Sequence, residues 1–72
     1  MNTEYMIITA DEFEIPVYTA KSIGGIMQIL KKNYKQEFSD VNVRSLFHRE
    51  SVITIEGEEF KFIKVELEDD DE

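Results

Sequence analysis

Two short runs of β-branched and aromatic residues, separated by a glycine, constrain the fold of this chain more than any other stretch. The runs are Val52–Ile55 and Phe60–Val65, with Gly57 between them. Such side chains favour strands, and glycine supplies the positive φ that a tight hairpin turn needs. The sequence therefore predicts a β-hairpin. The apolar pair Phe62-Ile63 interrupts its alternation, which indicates either a bulge or burial of both faces.

The position of the turn decides which residues of this hairpin face each other. With Gly57-Glu58 as the two-residue loop, Ile55 faces Phe60 and Ile53 faces Phe62. Four large apolar side chains then share one face, and a two-stranded hairpin is marginal in water without a covering layer. We therefore expect the rest of the chain to cover that face.

The N-terminal part predicts a second hairpin. Residues 5–9 form an apolar first strand, and residues 10–12 form a turn. In the second strand Phe13, Ile15 and Val17 alternate with acids and Pro16, so the acids are expected to face solvent. Pro16 has no N–H to donate, which predicts a strand at the edge of the sheet.

Two helices are predicted between the hairpins. Thr19 is the expected N-cap of a helix from Ala20 to about Tyr34, and Ser39 caps a second helix from Asp40 to about Arg49. The apolar residues of the first helix recur at helical spacing and form one stripe: Ile23, Ile26, Met27, Leu30 and Tyr34. Gly24-Gly25 lowers helix propensity and is interpreted as close packing on a strand, with a partner contact as the alternative.

The expected architecture is a single α+β domain over residues 1–67, in the order ββααββ, with two β-hairpins packed on a pair of short helices. Residues 68–72 are all acidic and are expected to be a disordered tail. A chain of 72 residues buries only about 60% of its unfolded surface, so oligomerisation, such as a homodimer, or binding to a partner is a reasonable expectation. The absence of cysteine, of a signal peptide and of a long apolar run favours a cytoplasmic protein that does not enter membranes.

Charge is the most distinctive compositional feature. The chain has 16 acidic and 8 basic residues, for a net charge of -8. Residues 20–50 hold six of the basic residues and only three acids, whereas the flanking segments hold two basic and thirteen acidic residues. A polyanionic exterior repels nucleic acid and attracts basic protein surfaces.

Constellations that would support catalysis or metal binding are missing from the sequence. Asp69-Asp70-Asp71 has neither the spacing nor the glycine of a calcium loop. His48 is the single histidine, no cysteine is available as a nucleophile, and Gly24-Gly25 lacks the lysine of a phosphate loop. We therefore expect no enzyme activity, no metal and no cofactor.

One alternative is a helix-turn-helix that binds nucleic acid. Arg44, His48 and Arg49 would lie on the exposed face of the recognition helix. The element order also has a faint likeness to small accessory modules of intron nucleases. The acidic flanking segments argue against direct contact with DNA, because they repel phosphate.

A second interpretation takes the acidic charge as functional. In length, lack of cysteine and polyanionic terminus, the chain resembles small phage proteins that take over host processes by imitating DNA. That resemblance implies a host DNA-binding or DNA-encircling protein as the partner, and no direct contact with nucleic acid or membrane. It also implies a contact surface built from carboxylates: Glu56, Glu58, Glu59, Glu66, Glu68, Asp69 and Asp70. The remaining interpretation is an acidic domain whose charge serves only solubility.

A short segment suggests a particular target. Ser45-Leu46-Phe47 resembles the end of the Gln-Leu-Ser-Leu-Phe peptide that docks bacterial proteins on the replicative sliding clamp. Val43 and Arg44 depart from the first two positions of that peptide, and Leu46 and Phe47 also suit a helix core. The resemblance implies inhibition of DNA replication through the clamp, with Arg44 and Phe47 as additional partner contacts.

Overall fold

A computed structural model describes residues 2–67, and it has the predicted ββααββ order of an α+β domain. The strands are all antiparallel and form one sheet in the order β2-β1-β4-β3, so the two ends of the chain supply the central strands. The elements are β1 Asn2–Thr9, β2 Pro16–Ala20, α1 Ile23–Asn33, α2 Asp40–Arg49, β3 Val52–Ile55 and β4 Glu58–Leu67.

The core lies between the helices and one face of the sheet. Ile7, Phe60 and Phe62 point from the central strands to this layer, where they meet Ile26 of α1 and Phe47 of α2. The predicted stripe of α1 is confirmed, with Ile23, Ile26 and Leu30 buried and Met27 and Tyr34 packed beside them. The helical pair is therefore the covering layer that the hairpin required.

The C-terminal hairpin forms, but its predicted turn is wrong by one residue. The loop is Glu56-Gly57, both with positive φ (49° and 89°), as the favoured two-residue hairpin turn requires. Ile53 therefore faces Phe60, and Ile55 faces Glu58. This pairing differs from the predicted one by two residues, and because side chains alternate with a period of two, every residue keeps its face.

The structure also distinguishes the two interpretations of Phe62-Ile63, a bulge or burial of both faces. The pairing of β4 with both neighbours runs without a break, so β4 has no bulge. Phe62 is fully buried under the helices, while Ile63 is partly buried on the opposite side of the sheet. Apolar side chains therefore occupy both faces at this point of β4.

The second predicted strand is wrong in its first half. Residues 11–15 form a loop, and strand β2 begins at Pro16. The Asp11 carboxylate accepts hydrogen bonds from the Thr9 hydroxyl (2.8 Å) and the Phe13 N–H (3.0 Å), which closes a local turn in place of strand pairing. Phe13, 69% exposed, thus lies outside the sheet, whereas the predicted edge position of Pro16 is confirmed.

The helix ends confirm one predicted cap and correct the other. α2 has the expected limits, and the Ser39 hydroxyl accepts from the Asn42 N–H (3.1 Å). α1 instead begins at Ile23, because Thr19 is paired with Met6 inside β2 and Ser22 provides the cap. A Cβ added to Gly25 would lie 3.0 Å from the Ala20 Cβ, so the predicted close packing on a strand holds for Gly25.

Candidate interaction surfaces

One face of the sheet carries apolar side chains that no described helix or strand covers; we call it the open face. Strand alternation places Met6 and Ile8 of β1 there, because the intervening Ile7 lies in the core; Met6 is partly buried and Ile8 is only 3% exposed. Ile63 pairs with Met6, and both edge strands extend the apolar surface through Val17 and Val52, which are 40% and 51% exposed. Antiparallel sheets more often present polar side chains to solvent, so this apolar centre calls for an explanation.

Charged groups border the apolar centre of the open face. Glu4 and Glu59 lie on this face by strand alternation, and Lys61 lies between Ile8 and Val52 in the pairing. The Lys61 ammonium is 3.8 Å from the Glu14 carboxylate, which brings the loop of residues 11–15 to the edge of the face. The border thus has three carboxylates against one ammonium.

The predicted contact carboxylates of β4 fall into two separate places. Glu56, Glu58 and Glu59 lie at the hairpin turn, at the same end of the sheet as the loop of residues 11–15, because Thr9 pairs with Phe60. Glu66 pairs with Thr3 at the other end, about 23 Å away at the usual strand rise. Glu68, Asp69 and Asp70 lie outside the described residues.

Two of the acids at the turn end have structural partners. The Glu56 carboxylate accepts a hydrogen bond from the Lys35 N–H (2.7 Å), which connects the turn to the segment after α1. The hydrogen bond from the Thr9 hydroxyl has the largest effect on the pKa of the Asp11 carboxyl and lowers it. Desolvation acts in the opposite direction, and hydrogen bonds from the N–H groups of Glu14 and Phe13 lower the pKa further. Both carboxylates therefore accept hydrogen bonds from backbone N–H groups and stabilise the local backbone.

Phe47 does not occupy the position that a clamp-binding peptide requires. Its ring is 2% exposed and contacts the rings of Tyr5 and Phe62 edge-on, at centroid distances of 5.0 and 5.2 Å. Phe47 is therefore a core residue and cannot make the partner contact that the sequence predicted. Arg44, on the exposed side of α2, forms a salt bridge with Asp40 (3.1 Å) and remains available.

A pair of tyrosine side chains is a further feature of the helical side. The Tyr18 and Tyr34 hydroxyls are 3.1 Å apart, and burial together with this hydrogen bond raises the pKa of Tyr34, so its hydroxyl stays protonated. Within residues 2–67, no group of three or more His, Cys, Asp or Glu side chains is placed to hold a metal ion. The tyrosine pair connects β2 to the end of α1.

Comparisons with protein-family models, with curated proteins and with solved structures find no match for this chain. In the described part of the chain, neither helix is long and apolar enough to cross a membrane.

The open face is the feature that sequence reasoning missed. Its signals were the uninterrupted apolar run Met6-Ile7-Ile8 and the pair Phe62-Ile63, each of which places apolar side chains on both faces of a central strand. Only the strand order shows that these two segments are neighbours and that their second faces combine.

Proposed function

We propose that this protein is a non-catalytic binding domain that docks its open face on another protein. The apolar centre of that face, bordered by carboxylates, is the observation that carries the proposal. The opposite face of the sheet is already filled by the helices, and the apolar side chains of the open face are not part of that core: Ile8 is 3% exposed, whereas Val17 and Val52 are 40% and 51% exposed. Apolar patches with a polar rim are typical of protein interaction sites.

The negative charge around the open face indicates which kind of partner it binds. Glu4, Glu14 and Glu59 border the open face, and the whole chain has a net charge of -8. A second copy would bring like charges together around the apolar centre, which costs free energy unless opposite charges intervene. A partner with an apolar surface and a basic rim is complementary, and it binds faster and more tightly at low salt.

Proteins that handle DNA are the class we assign to this partner. Their working surfaces are basic because they bind a phosphate backbone. The carboxylates at the turn end and along the open face would occupy such a surface in place of DNA, as in the phage inhibitors that this chain resembles. The protein would then act in a bacterial cytoplasm and block access of DNA to its target.

The bacterial sliding clamp is the first target to test, with inhibition of DNA replication as the consequence. Its support is the acidic charge of this chain and the basic channel of the clamp. The peptide-like segment ending at Phe47 adds nothing, since Phe47 is buried. Purified clamp should bind the wild-type protein, and the complex should weaken as salt rises.

A pair of matched variants tests the docking face itself. Val52→Lys places a cation on the apolar surface of the open face, on an edge strand that tolerates lysine. Val41→Lys makes the same change on α2, at a position 73% exposed. Capture from a bacterial lysate should yield a DNA-handling protein with the wild type and with Val41→Lys, but not with Val52→Lys.

Two other modes of binding would give different experimental results. Sedimentation that shows a dimer for the wild type and a monomer for Val52→Lys would assign the face to a second copy. A gel shift with duplex DNA that Arg44→Gln abolishes would favour the helix-turn-helix alternative. Either result contradicts the proposed docking on a basic protein.

A further inference from the structure

A basic concavity lies on the helical side of the molecule, away from the open face. It consists of two adjoining depressions, of about 440 and 490 Å³, which share Tyr5, Ile23 and Arg44 in their walls. Each volume is in the range of a small-molecule site. We call this pair of depressions the basic concavity.

The composition of its wall is opposite to that of the chain. No acidic residue lines either depression, although 16 of the 72 residues are acidic. His48 lies in the wall among lysine and arginine side chains that come from separate segments of the chain: Lys21, Arg44, Arg49 and Lys64. The fold therefore brings several basic side chains together in a wall to which no acidic residue contributes, while Asp40 pairs with Arg44 beside it.

Local helix electrostatics explain only part of this clustering. His48 and Arg49 belong to the last turn of α2, where cations are favoured by the helix dipole. Lys21, Arg44 and Lys64 have no such role, since they precede α1, lie in the middle of α2 and lie on β4. Arg44 has a partner in Asp40, but that pair is largely exposed and leaves further guanidinium donors free to bind a ligand.

The N-terminus of α1 opens into the same concavity. Ser22, Ile23 and Gly24 line it, and the first turn of this 11-residue helix contains no acid. The N–H groups at a helix start attract anions. In α1 the Ser22 hydroxyl accepts from the Gly25 N–H (3.0 Å), and the N–H groups of Ile23 and Gly24 precede it in a first turn that has no carboxylate. Side-chain cations and the helix start thus favour the same kind of ligand.

We infer that the basic concavity binds a small phosphorylated molecule through its phosphate group. Lysine and arginine supply charge-assisted donors, and the start of α1 supplies N–H groups. The net charge favours a small ligand. An extended polyanion would also meet the acidic surface of a chain of net charge -8 and be repelled, whereas a single phosphate contacts only the lining of the basic concavity, which has no acidic residue. This site is independent of the proposed docking face.

The test uses the full-length chain labelled with nitrogen-15 and two probes, inorganic phosphate and adenosine 5′-monophosphate. Titration of either probe should shift the amide resonances of Ile23 and Gly24. Lys21→Gln and Lys64→Gln should each weaken binding by about fivefold, the effect of removing one exposed ionic contact. Lys32→Gln removes an equal charge from an exposed site on α1 outside the concavity and should leave the affinity unchanged.

The two probes distinguish the sources of the phosphate group. If the nucleotide binds more tightly than inorganic phosphate, the natural ligand is a phosphorylated metabolite. If the two probes bind equally, the ligand is inorganic phosphate. Both results support the site. Three results overturn it: no shift near the start of α1, an equal loss in Lys32→Gln and Lys21→Gln, or single-stranded DNA binding more tightly than the nucleotide. Because Val52 does not line the concavity, Val52→Lys should not change the phosphate affinity. The proposed phosphate site and the proposed docking face can therefore be refuted independently.

Discussion

Replacing Phe47 with leucine measures whether this side chain belongs to the core or to a partner contact. Its ring is 2% exposed and packs edge-on against Tyr5 and Phe62. Each aromatic pair contributes about 1 kcal/mol beyond area burial, so losing both costs about 2 kcal/mol. A chain of this length has about 4 to 10 kcal/mol of total stability, which makes the loss large but not complete.

Urea denaturation followed by circular dichroism measures this loss. With a slope of about 1 kcal/mol per molar urea, the midpoint of Phe47→Leu should fall by about 2 M. Val41→Ala is the matched control on the same helix, because Val41 is 73% exposed, and its unfolding free energy should change by less than about 0.5 kcal/mol. Equal stability of wild type and Phe47→Leu would contradict the placement of Phe47 in the core.

Three further predictions concern local structure. Gly57→Ala should lower the free energy of unfolding by about 1 kcal/mol in the same denaturation assay, because Gly57 has φ of 89°; an unchanged midpoint would contradict the turn. Gly24→Ala should raise stability by about 0.5 kcal/mol, whereas Gly25→Ala should raise it less, since its Cβ would crowd Ala20; the reverse order would contradict the helix packing. The lowered pKa of Asp11 means that the stability this carboxylate contributes is fully present above pH 3.8 and is lost as the pH falls through the lower pKa of the folded state. The amide resonances of the loop of residues 11–15 should therefore shift only in that acidic range, and Asp11→Asn should remove this transition.

The fold class was predictable because local patterns and tertiary packing agree. The stripe of α1 and the capping serine of α2 specify helices of the observed type, and the β-branched runs specify the hairpin strands. Predictions were wrong where one side chain competes with the pattern. Asp11 closes a turn and removes Phe13 from the strand, and Glu56 takes a left-handed conformation and occupies the two-residue loop in place of Glu58.

The candidate sites were less predictable, because they depend on which strands are neighbours. The open face requires β1 and β4 to pair, and these strands are at opposite ends of the sequence. Likewise Lys21, Arg44 and Lys64 are far apart in the sequence and line adjoining depressions only after folding. Charge counts alone identify an acidic chain and do not reveal that four of its eight basic residues line the basic concavity.

Competition between duplex DNA and this protein for one captured partner tests the proposed function most directly. A partner retained by the wild type and by Val41→Lys, but lost with Val52→Lys, should be released when duplex DNA is added in excess. Release should also follow an increase from about 50 to about 200 mM salt, since the contact is partly ionic. A partner that holds duplex DNA and this protein at the same time, or that binds Val52→Lys as tightly as wild type, would contradict docking of the open face on a DNA-binding surface.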